Sequence, residues 1–148
     1  MRHLAKALAA AAAAASLVGG APAAAKPRYA EGQVWEYRTR AGDEGSLLKI
    51  QKMEKVPELA ALGPVYHVSV VGVHLADGPT REIAHLPVSR QTLDASLTRL
   101  SRRHVGFPDV EEGIAEWRSD KGGVFTITVA EIVGILEQTI AQGHRPSD

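Results

Sequence analysis

The sequence predicts an α+β fold: an antiparallel sheet of about five or six strands built from hairpins, with two helices packed on one face, at about residues 89–103 and 129–142. Three observations predict it. Apolar residues recur with period two in several short segments. Glycine- and proline-rich turns join those segments locally, which favours hairpins over crossover connections. Helical periodicity appears only after the second and third strand pairs, so a parallel βαβ arrangement is excluded.

From Gln33 to Arg40, Trp35, Tyr37 and Thr39 point one way and Glu36, Arg38 and Arg40 the other, as in a half-buried strand. Residues 41–45 (AGDEG) read as a turn. Ser46 to Glu54 follows as the hairpin partner, with Leu48 and Ile50 on one face and Leu47, Lys49, Gln51 and Met53 on the other. Residues 55–64 (KVPELAALGP) form a connector with room for one helical turn. Val65 to Leu75 is valine-rich on both faces and belongs at the centre of a sheet. Residues 76–80 turn the chain into Arg81–Val88, which Pro87 marks as an edge or a strand end.

Ser89 is expected to cap a helix reaching Arg103, with Leu93, Leu97 and Leu100 as its apolar stripe. Arg99, Arg102, Arg103 and His104 would then complement the negative end of that helix. Residues 104–113 read as irregular, 114–118 as a strand, 119–123 as a turn and 124–128 as a further strand. Thr128 and Glu131 fit a capping box, opening a helix on Val129, Ile132, Val133, Leu136 and Ile140 that Gly143 ends. Residues 144–148 are expected to fray.

The first 25 residues read as a cleavable secretory signal peptide. Arg2, His3 and Lys6 precede an apolar run of about 12 residues from Ala7 to Val18, and Ala23-Ala24-Ala25 suits signal peptidase. Spanning a bilayer takes roughly 20 residues, so no membrane anchor is expected after cleavage. The expected location is the periplasm or the exterior, with residues 26–148 as a single globular domain. The chain has no cysteine, which excludes disulfides, thiol nucleophiles, thiolate metal sites and lipidation next to the cleavage site. Without Arg2 and Lys6 the 17 basic residues fall to 15 against 17 acidic ones, a charge of about −2 that exerts no long-range pull on nucleic acid.

Candidate chemistry is sparse. Pairing Leu75 with Arg81 would set Val71 opposite His85 and leave His67 roughly 10 Å from it, too far for shared ligation of zinc. His67 and His85 are thus expected to be hydrogen-bonded structural residues, and His74 with Glu82 a surface pair. No serine lies in a G-x-S-x-G elbow. The adjacent carboxylates Asp43/Glu44 and Glu111/Glu112 read as solvated loop residues. Gly122-Gly123 precedes a strand pattern and lacks the ending of a phosphate-binding loop. No cofactor or metal motif is present. The expected function is a non-catalytic exported module binding an envelope protein, a peptide or a small ligand, through Trp35, Tyr37, His67 and His85. The alternative is a small hydrolase or metal-dependent enzyme, for which His67, His85 and Glu82 are the residues to test.

Overall fold

A computed structural model describes residues 28–76 and 78–143; the expected signal peptide and the expected frayed tail lie outside the described residues. Five strands are present: β1 (Val34–Tyr37), β2 (Leu47–Glu54), β3 (Val65–His74), β4 (Thr80–Val88) and β5 (Leu97–Leu100). They form one antiparallel sheet in the order β4-β3-β2-β1-β5. The helices are α1 (Arg90–Ser96), α2 (Glu111–Ser119) and α3 (Val129–Gly143), and a 3-10 turn at Pro57–Leu62 joins β2 to β3. The fold is α+β, as the alternation and the local turns imply. No helix among the described residues is long and apolar enough to cross a membrane.

The sheet is covered on both faces. On one, Trp35, Tyr37, Leu48, Ile50, Tyr66, Val68 and Val70 pack with Leu93 of α1 and with Val129, Ile132 and Val133 of α3. Each such side chain contributes roughly 1.5–3 kcal/mol when fully buried. Both helix starts carry the expected caps. Thr92 N–H donates to Ser89 Oγ at 3.2 Å. Glu131 N–H donates to Thr128 Oγ1 at 3.2 Å, and Thr128 N–H returns to Glu131 Oε2 at 2.9 Å.

Three expected elements are different. Only residues 90–96 of the expected 89–103 helix are helical, and Leu97–Leu100 becomes β5 on the outer edge of β1. The leucine spacing fits a helix, but Leu100 is 52% exposed, so the stripe buries nothing at its end. The strand instead satisfies the open backbone of β1: Ser101 N–H donates to Val34 O and Arg38 N–H to Ser96 O. Arg99, Arg102 and Arg103 consequently close no helix, and Arg99 pairs with Glu36.

Residues 114–118, expected as a strand, lie in α2, which crosses the second face of the sheet. Ile114 and Trp117 stand three apart, so they share a helical face as readily as a strand pattern. Glu111 and Glu112 in the first turn and Arg118 in the last suit the helix dipole. Residues 124–128 form no ladder either. Phe125 N–H donates to Pro87 O at 3.0 Å and Ser89 N–H to Phe125 O at 2.9 Å, while Thr92 Oγ1 donates to the carbonyls of Phe125 and Ile127. The side chain of Thr92 thus occupies the carbonyls a neighbouring strand would have used.

Bulges set which side chain faces which way. Ile50 pairs with Val68 but Lys52 with His67, so Gln51 is an extra residue on β2. Leu48, Ile50 and Met53 therefore serve the helix-covered core, while Glu54 turns to the second face. On β3, Gly72 is the extra residue between the pairs Val71–Glu82 and Val73–Arg81. Its φ is +83°, and a Cβ there would lie 3.2 Å from Ser46 Cα. That bulge returns Val73 to the core.

Candidate functional site

The expected site residues separate onto two faces. Trp35 and Tyr37 are buried beneath α1 and α3, with Trp35 Nε1 donating to Gln33 and the Tyr37 hydroxyl 2.7 Å from Ser46 Oγ. They are core residues. His67 and His85 lie on the second face under α2, away from them.

The two histidines are adjacent, contrary to the register expected from sequence. Arg81 pairs with Val73 rather than Leu75, which slides β4 by two residues along β3. An extra residue on β4 then places Ala84 and His85 together against Ser69, whose hydroxyl donates to Ala84 O at 2.7 Å. Together these shifts bring His85 Nε2 to 2.8 Å from His67 Nδ1. The rings stack with centroids 5.0 Å apart. The expected His74–Glu82 pair is absent: His74 faces Thr80, and Glu82 faces Val71.

His67 is fully buried, and its other nitrogen, Nε2, lies 2.6 Å from Glu54 Oε1. Glu54 Oε2 accepts from Arg118 at 3.1 Å. The bulge at Gln51 is what delivers this carboxylate, because unbroken alternation would point Glu54 into the apolar core. Trp117 meets the His67 ring edge-on at 4.9 Å. α2 approaches so closely that a Cβ at Gly113 would lie 2.5 Å from His85 Cβ, so only glycine fits there.

These contacts assign the protons. An ionised carboxylate only accepts, so His67 Nε2 carries hydrogen toward Glu54. A neutral His67 then presents Nδ1 as acceptor, and His85 Nε2–H donates to it. The result is a chain running His85 to His67 to Glu54. Burial pushes His67 below the usual histidine range despite the Glu54 carboxylate. Burial, then the charge of a protonated His67, pushes His85 down to about 4. Burial pushes the Glu54 carboxyl up, but the hydrogen bonds from His67 and Arg118 together carry it below the usual range. Both histidines are therefore neutral at pH 7, and Glu54 is ionised.

The donor set does not suit a metal. The nitrogens and the carboxylate are hydrogen-bonded directly to one another, and no cluster of three or more histidine or acidic ligands occurs among the described residues. The acidic pairs also resolve. Asp43 is buried rather than solvated, tied to Arg40 at 2.8 Å and to His74 N–H at 2.8 Å, while Glu44 is exposed. Glu111 and Glu112 sit in the first turn of α2, where Glu111 meets Lys52.

Beside the histidine chain lies a groove of about 480 Å³ between the 3-10 turn and the end of α2. Val56, Pro57 and Leu59 form one wall, and Trp117, Arg118 and Lys121 the other. Its size suits a small molecule. Sequence reading missed it because Trp117 and Arg118 were assigned to a strand; the acidic start, basic end and following Lys121-Gly122-Gly123 were the available helix signals. Comparison with protein-family models, curated proteins and solved structures finds no match to this chain.

Proposed function

We propose that this chain is an exported, non-catalytic binding module that holds a small ligand in the groove between the 3-10 turn and α2. The observation that carries this reading is the closure of His67. It has no solvent exposure, and both ring nitrogens are occupied by Glu54 and His85. The chain of three groups thus braces the second face, and its neighbour, the groove, is open to ligand. Export rests on the cationic start, short apolar run and alanine-rich end of residues 1–25.

One observation favours a catalytic reading. His85 is only partly buried, and its Nδ1 makes no hydrogen bond among the described residues. A base with a pKa of about 4 is nevertheless weak at neutral pH. Binding remains the better account.

Two measurements test the proposal. Mass spectrometry of the protein recovered from a cell envelope should find a mature chain beginning at residue 26; retention of residues 1–25 in the cytoplasm would overturn export. A thermal-shift screen of small organic acids, sugars and peptides should yield a stabilising compound whose effect is lost in Leu59→Glu and kept in His85→Gln. Turnover of a substrate that His85→Gln abolishes would favour the enzyme instead.

A further inference from the structure

Helix α2 ends in a Schellman turn. Gly122 N–H donates to Trp117 O at 2.9 Å, and Lys121 N–H to Arg118 O at 3.2 Å. This puts Lys121 at the residue that must enter the left-handed region, with φ of +49°. Glycine is the usual occupant because a Cβ is strained there. Glycines stand at the next two positions, yet lysine holds this one. Its charge is not needed for the helix dipole, since Arg118 already sits in the last turn. Strain retained at a groove wall points to a role for the side chain.

The groove supplies that role. Lys121, Lys55 and Arg118 line it against two carboxylates, Glu54 and Glu58. Glu54 is turned inward to His67 and Arg118. Neither Lys121 nor Lys55 makes an ion pair among the described residues. Opposite them, Val56, Leu59 and the Trp117 ring provide an apolar seat.

We propose that the groove binds a small carboxylate with an aryl or similarly apolar body, and that Lys121 is the residue that contacts the anion. This rests on the reading of the groove as the binding site. The carboxylate sits between Lys121 and Lys55, and the apolar body lies along Val56, Leu59 and Trp117.

Calorimetric titration of the mature chain with phenylacetate, phenylacetamide and acetate tests it. Phenylacetate should bind saturably, with phenylacetamide weaker by about tenfold or more for want of the charge-assisted contact. Acetate should be weak for want of an apolar body. Lys121→Gly should melt above the wild type, relieved of its strain, yet bind phenylacetate about tenfold more weakly. Lys121→Arg should keep most of the affinity. Equal binding of acid and amide, both lost in Leu59→Glu, would overturn the anion assignment and leave the groove. A Lys121→Gly variant that melts higher and binds unchanged would reduce Lys121 to a helix terminus. Absence of binding, or binding indifferent to Leu59→Glu, would remove the groove reading itself.

Discussion

His67 Nδ1 and His85 Nε2 meet at 2.8 Å because β4 carries one residue more than β3 opposite Ser69. The contact is thus a product of strand irregularity. It places a neutral pair, anchored by Glu54, beneath the one helix on the second face.

Removing the anchor should be costly. Glu54→Ala leaves the buried His67 Nε2–H without an acceptor, and the expected loss is about 1–3 kcal/mol in urea unfolding. Arg118 binds the same carboxylate from an exposed position, so Arg118→Ala should cost less than about 1 kcal/mol. Equal losses in the two variants would contradict the chain of donors assigned above.

Acid should loosen the fold in two stages. His85 has a folded pKa near 4 against an ordinary value of 6.5, so the unfolded chain binds the extra proton first. Its stabilising contribution is complete above about pH 6.5 and is lost as pH falls toward 4. Glu54 has its pKa lowered from 4.5, so its contribution is present above that value and disappears only below it. Urea midpoints measured from pH 7.5 to 4 should decline, and His85→Gln should flatten the upper part of that decline. An unchanged slope in the variant would assign the loss to other groups.

Gly113 should tolerate no side chain. Alanine there would overlap His85 Cβ, and lifting α2 or displacing the ring should cost about 1–3 kcal/mol. Thermal unfolding of Gly113→Ala checks this, with Gly134→Ala on α3 as a control. A Cβ at Gly134 meets nothing within 4 Å, and alanine in a helix interior should stabilise by roughly 0.5–1 kcal/mol.

Ser89 both caps α1 and ties that helix to Phe125 through its amide. Ser89→Ala should cost about 1 kcal/mol, seen as a lower melting temperature. Ser89→Asp, which can still cap, should recover part of it if the buried position accepts the charge.

The four N-terminal strands were legible because each alternates strictly and is followed by its own turn, and the two cap sites because their side chains act within four residues. What escaped depended on distant partners. Leu93, Leu97 and Leu100 satisfy helical spacing, and only the open edge of β1 makes a strand of the last two. Ile114 and Trp117 fit both periods, and the sheet face decides. The histidine pair escaped for a related reason: a shift of two residues plus an extra one on β4 cannot be read from alternation. Of the four residues expected to bind ligand, His67 and His85 came together, and Trp35 and Tyr37 fell within the core.

The extra residue at Gln51 makes the length of β2 matter as much as its chemistry. Deleting that one residue would restore regular pleating downstream. Met53 would then exchange places with its neighbours, and a carboxylate would be driven among Ile50, Val68 and Tyr66. Every downstream amino acid would be retained and the brace beneath α2 would still be dismantled. For this strand, indels are a graver class of variation than substitutions, and Gln51 is the position at which homologous chains should be least free to change in length.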